Sequence, residues 1–112
     1  MKCIGPTLAI EQIRKYKEMY SFFPEVEEQA ELFNVISNPV RLKILYLLME
    51  EEEVCVCDLR DILQISASAI SQHLAKMKAY QLVRSRRDAQ TVFYTLTKHP
   101  FLENISKFLP KD

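Results

Sequence analysis

The stretch Ser66-Ala67-Ser68-Ala69-Ile70-Ser71-Gln72-His73-Leu74-Ala75-Lys76-Met77-Lys78-Ala79 decides how this chain is read. Ile70, Leu74 and Met77 recur at i, i+4 and i+7 and make one stripe of a helix, while Ser68, Ser71, Gln72, Lys76 and Lys78 fall on other faces. Ser66 stands at its start as a capping residue. Before it, residues 58–63 predict a short helix with Leu59, Ile62 and Leu63 inward, and Gln64, Ile65 and Ser66 make the turn. Two helices joined by so short a turn, the second polar and basic outside, carry a helix-turn-helix signature. On the other side, residues 83–87 and 91–96 are β-branched, aromatic and arginine-bearing runs around Asp88, Ala89 and Gln90, which predicts a hairpin. The fold class expected is mainly α with a β-hairpin wing, a winged helix-turn-helix. In such a fold the second helix enters the major groove and the wing reaches phosphate or minor groove.

Toward the N-terminus, Asn38-Pro39 is a strong helix start, a capping side chain followed by a ring whose fixed φ suits the first helical position. The helix it opens runs to about residue 49 and buries Val40, Ile44, Leu47 and Leu48, and the four glutamates at 50–53 then read as a solvated loop. A helix over about 25–36 places Val26, Ala30, Phe33 and Ile36 or Val35 on one stripe. Earlier still, Thr7 can cap a helix with Leu8, Ile13, Tyr16 and Tyr20 near helical spacing, ending before Pro24. A last helix over 100–109 shows Phe101, Ile105 and Phe108 on one face.

With 112 residues, 48% of them hydrophobic and 27% charged, the chain has room for one small domain and an ordinary core. One winged helix-turn-helix domain is expected over 1–112, with an N-terminal arm and helix over about 1–24 and a C-terminal dimerisation helix over about 100–109. The apolar stripes at the two ends exceed what the central residues can cover, which points to a symmetric homodimer. Net charge is zero, yet residues 66–98 hold six basic side chains against Asp88 alone. Such a segment can present a local phosphate-binding face, since screening at physiological salt acts over about 8 Å. No run approaches the roughly 20 apolar residues of a membrane helix and the start lacks the apolar stretch of a secretory signal, so no membrane partner and a cytoplasmic location are expected.

In colinear order, Asn38-Pro39-Val40-Arg41-Leu42-Lys43-Ile44-Leu45, Val54-Cys55-Val56-Cys57-Asp58-Leu59, Ser66-Ala67-Ser68-Ala69-Ile70-Ser71-Gln72-His73-Leu74 and Val92-Phe93-Tyr94-Thr95-Leu96 resemble the ArsR/SmtB family of bacterial metal-responsive repressors, over roughly residues 30–98. The resemblance implies a homodimeric repressor that sits on double-stranded operator DNA and leaves it when a metal or metalloid binds. It makes Ala67, Ser68, Ser71 and Gln72 the base-reading candidates, with Ser66 at the cap and His73 at the family's motif histidine. Gln72 can pair bidentately with adenine and Ala67 can meet a thymine methyl. Lys76, Arg84, Arg86, Arg87 and Gln90 are the phosphate or minor-groove candidates. Two departures bear on the wing. Tyr80-Gln81 stands where the family often has a glycine ending the recognition helix, and Asp88-Ala89 lacks the usual glycine, so a slightly different wing tip is expected.

Cys55 and Cys57 flank Val56, and residues two apart point to one side of an extended strand but about 200° apart on a helix. Joint ligation therefore needs the pair just before, or in the first turn of, the helix near Asp58, a place that favours the thiolate. The family's arsenic sensors often add a third cysteine one turn later, where this chain has Arg60, and other members close the site with a thiol on the other subunit's arm, which here is Cys3. Three thiolates suit trivalent arsenic or antimony, or lead, or cadmium with a fourth ligand, as inducer. No organic cofactor is expected. A family site on the C-terminal helix is not expected, because that segment offers only His99 and Glu103. A thiol-based redox sensor of the same fold, or a winged helix that binds only proteins, are the alternatives. An enzyme is not expected, since the histidines are scattered and no glycine loop can cradle a phosphate.

Overall fold

The computed structural model describes residues 4–110, among which lie six α-helices, three strands and one 3-10 turn. The chain divides into two compact units, one up to Glu31 and one from Leu32 onward. Cys3, the candidate third thiol, lies outside the described residues.

In the first unit, α1 spans Ile10–Ser21 and α2 begins at Pro24. The helix starts later than Thr7 suggested: Ala9 is its N-cap, its amide satisfied by the Gln12 side chain at 3.2 Å, and Leu8 stays outside. None of α1's residues is buried; Tyr16 stacks on Tyr20, and Tyr20 on Phe23.

Helix α2 spans Pro24–Ile36, and its buried residues are Leu32, Val35 and Ile36. The expected stripe of Val26, Ala30 and Phe33 is instead exposed, so the helix is turned from the face its period first suggests. Helix α3, Pro39–Glu50, starts as read: the Asn38 carboxamide oxygen accepts from Val40 N–H at 2.9 Å and Arg41 N–H at 3.1 Å. Its buried residues are Ile44, Leu45 and Leu48; Val40 and Leu47 are only half-buried.

Strand β1, Val54–Cys55, has no sequence signal of its own. It leads directly into α4, Val56–Leu63, two residues earlier than expected, because the Cys55 sulfur caps the helix by accepting Asp58 N–H at 3.4 Å. Asp58 thus sits in the first turn, where the helix dipole favours an acid. Leu59 is buried, but Ile62 is exposed, against expectation. After a left-handed Gln64, α5 spans Ala67–Ala79, capped by Ser66 on Ala69 N–H at 3.1 Å.

Ile70, Leu74 and Met77 of α5 are fully buried with Ile44, Leu45, Leu59, Leu82 and Val83. Each such side chain contributes roughly 1.5–3 kcal/mol by leaving water. The end of α5 solves the missing glycine: Gln81 takes φ 62°, Gln81 N–H donates to Lys78 O at 2.9 Å and Leu82 N–H to Met77 O at 3.0 Å. Those two bonds are a Schellman closure, which needs a left-handed residue but not a glycine.

Strands β2, Val83–Asp88, and β3, Thr91–Leu96, form the wing hairpin, and the sheet order is β1-β3-β2, antiparallel throughout. Ala89, rather than Asp88 or Gln90, supplies the positive φ (56°) that the right-handed twist asks of a two-residue loop. The C-terminal helix is shorter than expected: α6 spans Pro100–Ile105 and passes into a 3-10 turn, Ser106–Phe108. Phe101, Leu102 and Ile105 are buried within the unit, with Phe101 edge-on to Phe33, while Phe108 is exposed. Of the expected C-terminal stripe, Phe101 and Ile105 are thus covered within the unit while Phe108 is not. Among the described residues no single helix is long and apolar enough to cross a membrane.

Candidate nucleic-acid interface and thiol pair

The buried stripe of α5 fixes what the helix shows to solvent. With Ile70, Leu74 and Met77 inward, Ala67, Ser68, Ser71 and Gln72 are all exposed on the opposite side, as is the capping Ser66. Lys76 is exposed, its ammonium 5.9 Å from the Tyr80 ring centroid. Three small or hydroxyl side chains and one carboxamide, with no acid on the helix, form a surface able to approach base edges closely.

His73 is different. Its Nδ1 accepts from Arg41 Nε at 3.1 Å, and the same guanidinium donates through Nη1 to Val35 O at 2.9 Å. Arg41 thus ties α3 to the end of α2 and to the reading helix, and His73 is its partner within the fold. Burial, then the Arg41 charge, pushes His73 below its ordinary value, so the neutral, accepting imidazole is favoured.

The wing arginines separate by strand alternation. Val83, Ser85 and Arg87 share one face of β2, and Arg84, Arg86 and Asp88 the other. Arg84, Arg87 and Gln90 are exposed, and Lys78 at the end of α5 donates to Ser85 Oγ at 2.8 Å. Arg86 is committed elsewhere: its Nε and Nη2 bind both oxygens of Glu53 at 2.6 and 2.5 Å, and its Cζ lies 4.5 Å from the Phe93 ring centroid. Those hydrogen bonds hold the Glu53 carboxyl below the usual carboxylate value. Glu53, read as one of four loop acids, is thus a partner that sequence reasoning missed; the pairing of Val54 and Cys55 with the wing, which brings it there, was the absent signal.

Cys55 and Cys57 are both free, Cys55 half-buried as N-cap of α4 and Cys57 exposed in its first turn. The expected placement at the helix start is therefore met. Among the described residues no group of three His, Cys, Asp or Glu side chains is gathered for a metal. By donor chemistry the pair suits a soft ion.

A helix-turn-helix with a polar reading face, flanked by an arginine-bearing wing, defines a DNA-binding protein of the winged-helix class. The family model for the bacterial regulatory proteins of the arsR family matches residues 38–85. A transcriptional repressor of Synechocystis sp., described as an SmtB homolog, is 32% identical over 94 residues, covering 84% of this chain and 70% of its own length. The chain belongs to the ArsR/SmtB family of transcriptional regulators. The cadmium resistance transcriptional regulatory protein CadC of Listeria innocua is 37% identical over 73 residues, which cover 65% of this chain but only 56% of that relative. Among solved structures, HlyU from Vibrio cholerae matches with a TM-score of 0.71 at 36% identity, over 78% of this chain and 94% of the other.

Proposed function

We propose that this regulator is a homodimeric repressor that leaves its operator when a soft thiophilic ion binds at Cys55 and Cys57, with Cys3 of the second copy as third thiol. The single observation that carries the reading is the position of the pair: one thiol caps the first helix of the reading motif and the other lies in that helix's first turn. The likeness to a cadmium resistance regulator supports the ion class. Trivalent arsenic or antimony, cadmium and lead share the preference for sulfur.

A bound ion would supply a cross-link between the start of α4 and the other subunit's arm. The chain's own residues do the rest. Cys55 holds the Asp58 amide, so a change at this sulfur is felt at the first turn of α4, and α4 packs its Leu59 into the core shared with Leu74 of α5. Release of DNA requires that the ion prefer the DNA-free arrangement, with a coupling of the order of 1–3 kcal/mol. Ser68, Ser71 and Gln72, with Ala67, read the bases; Arg84, Arg87, Gln90 and Lys76 meet phosphate or minor groove. Dimerisation is assigned to α1, where Ile10, Ile13, Tyr16, Met19 and Tyr20 are exposed on a helix with no buried residue.

The test is a titration of reduced full chain, bound to an operator fragment selected from random duplex, with cadmium chloride, lead nitrate or sodium arsenite. The expected result is thiolate charge-transfer absorption together with loss of DNA binding, and Cys55→Ser or Cys57→Ser proteins that bind DNA but do not respond. Cys3→Ser is expected to respond weakly or not at all. A Cys55→Ser protein that still leaves its operator on adding these ions overturns the site. Release by hydrogen peroxide but by none of the ions moves the reading to thiol oxidation.

A further inference from the structure

The wing does not present all its arginines alike. Glu53 precedes β1 by one residue, and its carboxylate takes the Nε and Nη2 edge of Arg86 in β2, across the central strand β3. Phe93 of β3 is opposite Cys55 on one side and Arg86 on the other, so all three side chains share one face of the sheet. Arg86 lies on the Phe93 ring there. We propose that Glu53 is the positioning residue of the wing: it holds Arg86 on the face shared with Cys55 and withholds that guanidinium from DNA phosphate until the contact opens.

The argument is one of charge and competition. A carboxylate–guanidinium pair carries no net charge, so while it is closed Arg86 adds nothing to the attraction of the wing for phosphate. Opened, it adds one cation beside Arg84, which shares its face. The side chains are 54% and 28% exposed, so water and salt weaken the pair and a phosphate can compete for the same donors. The other end of the latch is short. Strand β1 is two residues long, Val54 and Cys55, each paired with β3. Whatever draws Cys55 away from Phe93 draws Glu53 with it, so the charge the wing shows to any duplex is set from the thiol strand, a sequence-independent gain that partly offsets the operator release proposed for a bound ion. This rests on the DNA-binding reading and not on the identity of the inducer.

The test is the affinity of metal-free full chain for random-sequence duplex, by fluorescence anisotropy at several salt concentrations. Glu53→Gln is expected to tighten binding roughly threefold to tenfold at low salt and to steepen the log–log salt dependence by about 0.9, the signature of one more phosphate contact. Glu52→Gln, an exposed neighbour, controls for the removed charge and is expected to do much less. In an Arg86→Met background, which keeps an apolar stem on Phe93, Glu53→Gln is expected to act no more than Glu52→Gln. In a chain with Cys3→Ser and Cys57→Ser, alkylating Cys55 with N-ethylmaleimide is expected to reproduce the steeper slope. Weaker binding by Glu53→Gln, an effect equal to that of Glu52→Gln, or one that persists without Arg86, overturns the proposal; an unchanged slope on alkylation overturns its link to the thiol. No metal is present, so the outcome is independent of whether an ion releases the operator.

Discussion

Helices α1 and α5 have nearly the same length, 12 and 13 residues, and each carries a regular apolar stripe, yet they end differently. The stripe of α5 is fully buried against α3, α4 and the wing base, whereas that of α1 stays exposed throughout. Periodicity identifies a face that needs covering; it does not say whether the cover lies in the same chain. Where the cover is internal, as on α5, the opposite face of the helix is left to solvent; on α1 the apolar face itself stays exposed.

The strongest way to break that comparison is to damage both stripes alike. Leu74→Ala is expected to destabilise the chain by about 2–5 kcal/mol in urea denaturation, the ordinary cost of a core cavity. Ile13→Ser on α1 is expected to keep the native far-ultraviolet spectrum and to shift dimer toward monomer by light scattering. If Ile13→Ser unfolds the chain as Leu74→Ala does, the two stripes are not of different kinds. The outer face of α5 is tested next: Gln72→Ala is expected to lower the ratio of operator to random-duplex affinity by roughly 1–3 kcal/mol at unchanged stability.

Smaller effects sharpen how α5 is anchored. Gln81→Gly, at φ 62°, is expected to stabilise the chain by about 0.5–1 kcal/mol, seen as a raised melting midpoint, since glycine reaches that region without a Cβ penalty. The smallest effect concerns His73. Its pKa is lowered on folding, so its contribution is present above its unfolded value near 6.5 and is lost as pH falls through the lower folded value. Melting curves between pH 7 and pH 5 are expected to show a steeper loss for the natural chain than for His73→Gln.

The helix-turn-helix was legible because its signals are local: Asn38-Pro39, Ser66 and the spacing of Ile70, Leu74 and Met77 each act within a turn or two of chain. The helix boundaries that moved have equally local causes. The Cys55 sulfur caps α4 and starts it two residues early, and Ala9 displaced Thr7 because the Gln12 side chain reaches back to it. What could not be read is what depends on distant partners. Val26 and Phe33 had the right period for a core stripe and are exposed; Glu53 looked like its three neighbours and is bound to a strand 33 residues away. The wing turn was legible as a turn, but not that alanine would take its left-handed place.

The sheet order β1-β3-β2 leaves the outer rim of β2 with six residues of backbone amides and carbonyls that pair on one side only. An open rim of that length is a template for another strand, and native proteins blunt such rims with charge. Arg84, Arg86 and Arg87 lie on it. Arg84 and Arg87, the wing arginines assigned to nucleic acid, thus also put charge of that kind on the rim. Neutralising two of them together would turn a change in DNA affinity into a solubility problem, and wing variants need a monodispersity check before any loss of binding is credited to a missing phosphate contact.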